Sequence, residues 1–290
     1  MKRKIPFAPH PYLFLALFLA ITGFMFFKQE IVASLPFIQK KEITKPIPVD
    51  AIDFTSTLEE AGNIDNSKSQ NWWLNSGGLV YNTNSTFKSI QGNLEPNNRW
   101  FSAYLKANPR DTDGGLHPQN ILRLVNKNNV QNTVQEAYFK INKTNMSKST
   151  NRNESNGVLF FNRYIDGDNL YYTGIRVDGT SIIKKKKNGI YHTMNQKKIY
   201  EGTFNRDSKP NLIPENKWIG LRSEVKNLNF KDVSIKVYLD KSGYGNWELI
   251  AEAIDNGSTY DGSSFINAGH PGIRTDFIDI EFKNYSLKNI

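Results

Sequence analysis

The sequence predicts an all-β body of two stacked antiparallel sheets, preceded by one N-terminal hydrophobic helix. Two observations carry the body: from residue 51 onward apolar and polar residues alternate over short runs, and Gly, Asn and Asp separate those runs. The helix rests on an uncharged apolar stretch, Tyr12 to Phe27, behind Lys2, Arg3 and Lys4.

The apolar stretch is broken only by Thr22 and Gly23, and Lys28, Gln29 and Glu30 close it. It falls short of the roughly 20 residues that span a bilayer and exceeds the roughly 7 to 15 of an ordinary signal peptide. Its length and apolarity favour a retained signal-anchor, or transmembrane segment, over residues 1–27. Val32-Ala33-Ser34 leaves cleavage, and therefore secretion, as the alternative. The positive flank keeps the N-terminus inside, so a single-pass protein is expected at the cell membrane with its C-terminal body extracytoplasmic. Residues 28–50 carry Pro36, Pro46 and Pro48 with no sustained period and read as a linker. Residues 51–290 are expected to form one domain. Its six Asn-x-Ser/Thr sequons, at Asn84, Asn142, Asn145, Asn153, Asn256 and Asn284, suit an extracytoplasmic surface, although in a chain so rich in Asn several are coincidental.

A hydrophobic fraction of 38%, with 12% aromatic residues, is enough for a sizeable core and excludes a disordered chain. The absence of cysteine removes disulfides and thiolate ligands. Of the net charge of +9, Lys2, Arg3 and Lys4 account for three. Lys184, Lys185, Lys186 and Lys187 form a run that reads as a solvated strand end or hairpin, with an anion patch as the functional alternative. Nucleic acid is not needed to explain the basic balance.

The clearest strands are Trp100 to Ala107, Ile121 to Asn126, Glu136 to Ile141, Gly157 to Ile165, Leu170 to Val177, Ser181 to Lys187, Trp218 to Lys226, Val233 to Leu239, Trp247 to Ala253 and Asp276 to Leu287. Asp166-Gly167, Asp178-Gly179 and Asn188-Gly189 sit between alternating runs, where a tight hairpin requires positive φ, so residues 157–191 read as consecutive hairpins. Adjacent strand residues face opposite sides, which places one of Trp72 and Trp73 in the core and makes the other a candidate for exposed stacking.

The segments "NLYYTGIRVDGTSIIKKKKNGIYHT" (169–193), "WIGLRSEVKN" (218–227), "YLDKSGYGNWELIAEA" (238–253) and "GHPGIRTDFIDIEFKNYSL" (269–287) resemble the concanavalin A-like lectin/glucanase superfamily. They are most similar to its jelly-roll domains related to glycoside hydrolase family 16 and to 3-keto-disaccharide hydrolases. The resemblance covers most of residues 70–287. It implies a curved jelly-roll sandwich whose concave face or rim contacts a saccharide, with a polysaccharide or glycan as partner.

Period-two parity puts Glu136, Tyr138 and Lys140 on one face, Trp218, Arg222, Glu224 and Lys226 on another, and Tyr172 and Arg176 on a third, with Arg163 on a neighbouring hairpin. If these faces converge, Tyr138, Lys140, Arg163, Tyr172, Arg176, Arg222 and Glu224 line a sugar-binding groove, with rings for stacking and guanidinium forks for carboxylates or sulfates. The competing expectation is a solvated outer sheet laced by cross-strand ion pairs. The Glu-x-Asp-x-x-Glu strand of a retaining glucanase is missing. The nearest carboxylates, Asp276, Asp279 and Glu281, read as structural or as a calcium site, with Asp276 and Asp279 as the metal candidates. A non-catalytic carbohydrate-binding domain is the leading expectation. The alternative is an extracytoplasmic polysaccharide-degrading enzyme, either a glycoside hydrolase or a lyase using Arg and Tyr groups.

Overall fold

In a computed structural model, which describes residues 56–290, the alternation resolves into two antiparallel sheets facing one shared core. The hydrophobic segment 1–27 and the linker 28–50 lie outside the described residues. Among the described residues no helix is long and apolar enough to cross a membrane.

The first half supplies β1 (Thr57–Glu59), β2 (Trp72–Ser76), β3 (Leu79–Thr83), β4 (Thr86–Ser89), a helix α1 (Arg99–Ala107), β5 (Ile121–Asn126) and β6 (Thr133–Thr144). The hairpin series follows as β7 (Gly157–Asp166), β8 (Asn169–Arg176), β9 (Thr180–Lys187) and β10 (Ile190–Lys198). The chain closes with β11 (Ile219–Asn227), β12 (Val233–Asp240), β13 (Glu248–Asp255), β14 (His270–Asp276) and β15 (Ile278–Asn289). One sheet runs β1-β3-β4-β15-β6-β11-β12-β13, the other β10-β9-β8-β7-β14-β5-β2.

Parity decides what each sheet buries. Ala137, Phe139 and Ile141 of β6 and Ile219, Leu221 and Val225 of β11 turn inward, as do Val158, Phe160, Tyr171 and Ile175 from the opposite sheet. Phe139 and Phe160 meet across the core with ring centroids 5.7 Å apart, and Phe87 stacks on Phe282 at 4.7 Å. The seven-stranded sheet also carries a second apolar cluster on its outer face, where Trp73, Leu159, Phe161, Tyr172 and Ile182 pack with Ala61 and Ile64. Both tryptophans of the Trp72-Trp73 pair are therefore buried. Trp72 lies edge-on to Tyr285, and Trp73 donates its indole N–H to Ala61 O at 2.8 Å, so the exposed stacking role does not hold.

Two sequence expectations are corrected. Trp100 to Ala107, expected as a strand, is the helix α1. Asn98 caps it by accepting from Trp100 N at 2.9 Å, and Trp100 and Tyr104 form an i,i+4 ring pair. The buried Tyr104 hydroxyl donates to Glu60 and accepts from Gly77 N, which locks the helix onto the sheet. The closing strand, expected from Asp276 to Leu287, starts two residues later, at Ile278. Phe277, at φ 55°, interrupts the run so that β14 ends in one sheet and β15 starts in the other. Of the sequons, Asn145 is buried and donates its side-chain amide to Asn120 and Asp279, so in the folded chain it is inaccessible to glycosylation.

Candidate functional site

The expected site residues fall in three separate places. Glu136, Tyr138, Lys140, Arg222 and Glu224 lie on the outer face of the eight-stranded sheet, within β6 and β11. There Arg222 stands directly opposite Glu136 and donates to it at 2.7 Å, Lys140 pairs with Glu281 at 2.9 Å, and Glu224 lies opposite Lys236. Arg222 also stacks 4.1 Å from the Trp247 ring, and Lys283 sits 4.2 Å from that of Trp218. Trp247 and Tyr138 lie across Gly220, where a Cβ would meet them at 2.7 and 3.0 Å. This is the cross-strand ion-pair surface weighed above, its charges already neutralised in place.

Arg163 is elsewhere again. It is buried at the β7 bulge with φ 49°, donating to Gln131 O, to Asn227 Oδ1 and to Phe265 O. Burial pushes its pKa down to about 10, so it stays charged while holding loops together.

Of the expected sugar-binding residues Tyr172 and Arg176 enter a groove, a cavity of about 320 Å³ on the outer face of the seven-stranded sheet, and Asp276, expected as a metal ligand, lines it with them. Its floor is one transverse row: Arg123, Arg274, Leu159, Gly174 and Ile182 stand opposite one another across β5, β14, β7, β8 and β9. Gly174 (φ 153°) carries no side chain in mid-row because β7 approaches too closely, a Cβ there meeting Val158 O at 2.3 Å. Tyr191 of β10 closes one end, and Asn151, Asn153 and Ser155 supply a polar wall. That wall is pinned to the sheet. Arg176 Nε donates to Glu154 O at 3.0 Å, Asn153 N donates to Asn156 Oδ1 at 2.7 Å, and Asp111 accepts from Ser149 and Asn151.

Register sets Arg123 directly opposite Arg274, a like-charge pairing that would be unfavourable alone. Asp276 resolves it, one carboxylate oxygen accepting from Arg123 Nη2 at 2.9 Å and the other from Arg274 Nε at 2.9 Å. Burial pushes the Asp276 pKa up, but the two arginines outweigh it and hold the carboxyl below its ordinary value. Tyr172 is pushed up chiefly by burial. Tyr191 goes the other way: burial raises it, yet the positive charges of Arg274 and Lys186 pull its hydroxyl below the usual phenol value.

The metal expectation does not fit these residues. Asp276 is held between two guanidiniums, while Asp279 accepts from Gly92 N, Gln119 Nε2 and Asn145 Nδ2 at 2.7 to 2.9 Å. Their oxygens already face N–H donors, and Phe277 sends the two residues into different sheets. Among the described residues no group of three or more His, Asp or Glu side chains is placed to hold a metal ion.

Sequence reasoning missed Arg123, Lys184, Tyr191 and Arg274. A signal existed for two of them: the two-residue Asn188-Gly189 turn fixes Tyr191 opposite Lys186, and parity then puts Lys184 on the same face.

No family model and no curated protein matches the sequence. Among solved structures, the chain is similar to carbohydrate-binding module CBM66 from Bacillus subtilis, at 13% identity over 77% of this chain and 98% of that one, with a TM-score of 0.47. A native glycosidic hydrolase is similar at 11% identity over 82% of this chain and 97% of that chain, with a TM-score of 0.41. The exoplasmic/lumenal domain of VIP36 in its Ca2+/Man-bound form is similar at 11% identity over 81% of this chain and 90% of that chain, with a TM-score of 0.38.

Proposed function

We propose that this chain is a carbohydrate-binding β-sandwich whose seven-stranded sheet holds a saccharide in the transverse groove. One observation carries the reading: Tyr191 lines the groove with 48% of its surface exposed, although its ring is held 5.9 Å from that of Tyr172 with the Lys186 ammonium 5.1 Å away. An amphipathic ring that is pre-oriented and still open to a ligand stacks on a sugar at little cost in side-chain entropy. The asparagine wall opposite supplies the donors and acceptors that fix a sugar's hydroxyls. Tyr191→Ala is expected to weaken binding to glycan-array hits by about tenfold, as measured by calorimetry. Its melting temperature stays near that of the parent because the ring is half exposed. Equal affinity of parent and variant would remove the groove from the saccharide reading.

A second reading, a lyase, is favoured by the grouping of Tyr191, Tyr172 and Arg274 in one groove, the two rings 5.9 Å apart and the guanidinium 5.1 Å from that of Tyr172. A phenol so placed can remove a proton α to a carboxylate that arginine neutralises. New unsaturated-uronate absorbance, lost in Tyr191→Phe, would make the protein an enzyme. A two-carboxylate hydrolase is disfavoured, because both acids lining the groove, Asp111 and Asp276, are already held by donors. The apolar segment of residues 1–27 supports display of this domain outside the cell membrane, with residues 28–50 as a spacer and the rest as one domain. External protease acting on intact cells should remove the body and leave the N-terminal segment in the membrane fraction; protection of the body would reverse that placement.

A further inference from the structure

The lysine run divides by parity, and the division is informative. Lys185 turns into the core and pairs with Asp255 at 3.0 Å. Lys186 meets Asp168 at 2.9 Å and Gly167 O at 2.7 Å, and Lys187 donates to Ser263. Lys184 points into the groove, half-buried, and among the described residues it makes neither a hydrogen bond nor an ion pair. Its ammonium instead lies over the Tyr191 ring, 5.6 Å from the centroid.

The surroundings do not neutralise it. The charged groups facing it from β8 and β14 are Arg176 and Arg274, and Asp178 beyond is already paired with Arg176 at 3.2 Å. Asp276 is shared between two arginines, which leaves that trio with a surplus positive charge. Desolvation, with Arg176 and Arg274 adding to it, lowers the Lys184 pKa, so the ammonium sits at an energetic disadvantage in the empty groove. A fold gains nothing from such a group. A half-buried cation without a counter-ion, at the end of a groove with surplus positive charge, is complementary to an anion.

We propose that the groove binds an acidic saccharide and that Lys184, with Arg176 and Arg274, receives its carboxylate or sulfate group while Tyr191 covers the ring bearing it. This inference rests on the saccharide reading above and narrows it to one ligand class.

The test uses matched probes: oligogalacturonate against its methyl ester, and dextran sulfate against unsulfated dextran, with inorganic sulfate alone as a minimal anion. The charged member of at least one pair should bind about tenfold or more tighter than its neutral mate, and the preference should shrink as salt is raised. Which pair discriminates tells a carboxylate from a sulfate ligand. Lys184→Met should abolish that preference while its melting temperature is unchanged or higher, an outcome that a structural lysine would not give. Neutral glycans binding as well as charged ones would overturn the acidic-ligand inference and leave the saccharide reading in place. Sulfate stabilising the parent but not Lys184→Met, with no glycan bound, would keep the anion site and sink the saccharide reading. No response to any charged probe, or a preference that survives Lys184→Met, overturns the inference.

Discussion

Asp276→Asn should lower the melting temperature by about 10 °C. The carboxylate is 2% exposed and is the shared acceptor of Arg123 and Arg274, which face each other directly across β5 and β14. Amide replacement keeps the shape but leaves two largely buried guanidiniums without an anion. Removing one partner of a buried ion pair costs roughly 3–5 kcal/mol, and the partial exposure of both arginines places this site at about 3 kcal/mol. At roughly 2–4 °C per kcal/mol for a domain of this size, that is the shift stated. Adding Arg123→Met to Asp276→Asn should recover part of the loss, because the remaining repulsion disappears.

The same carboxylate fixes the direction of a pH effect. The two arginines hold its pKa below the ordinary value despite burial. A depressed acid contributes stability that is fully present above its unfolded pKa of about 3.9 and disappears as pH falls through the folded value. Melting curves from about pH 7 down to pH 3 should therefore show the parent losing stability faster than Asp276→Asn at the acid end. Parallel curves would mean that Asp276 is not the anion balancing these arginines.

How far the sequence reached follows from what alternation can report. Period two separates Tyr138, Arg222 and Tyr172 from their neighbours Phe139, Leu221 and Tyr171, which are the ones in the shared core, because inward or outward is a property of one strand. It could not say that β6 and β11 lie in one sheet and β8 in the other, since that depends on pairings made far along the chain. Hence Tyr138, Lys140, Arg222 and Glu224 were grouped with Tyr172 and Arg176, although the two sets look out from opposite sides of the sandwich. Arg123 and Arg274 were invisible for the same reason: neither stands out within its own strand, and only the β5–β14 pairing makes them a site. Helix α1 was legible in part, because Trp100, Phe101, Tyr104 and Leu105 recur at the i, i+4 spacing of a helix and not at the alternation of a strand, but the run is only nine residues long. The deciding features are the Asn98 cap and the distant partners of Tyr104.

One residue beyond Lys184, the opposite behaviour is expected. Lys185 and Asp255 are both fully buried, and the Lys185 ammonium donates to Asp255, Gly262 O and Ser263 O at 2.9 to 3.0 Å. Asp255 also accepts from the Tyr171 hydroxyl at 2.7 Å and from Gly257 N, while Tyr171 takes a hydrogen bond from Phe265 N. The cluster ties β9 to the end of β13 and to the loop that follows. Burial lowers the Lys185 pKa, but hydrogen bonding to Asp255 opposes that shift, so the charge is matched here in a way that it is not at Lys184. Lys185→Met strands a carboxylate in the core and should destabilise by about 3–5 kcal/mol. Hydrogen exchange of residues 256–265 should speed up along with it. Lys185→Met with Asp255→Leu should be less damaging than the sum of the two single changes, since the second substitution removes the stranded charge. Additive losses would show that the two side chains do not act as a pair. A fall in melting temperature for Lys184→Met as large as that for Lys185→Met would show that the run serves the fold throughout, because alternation alone separates the lysine that the core requires from the one left facing the groove.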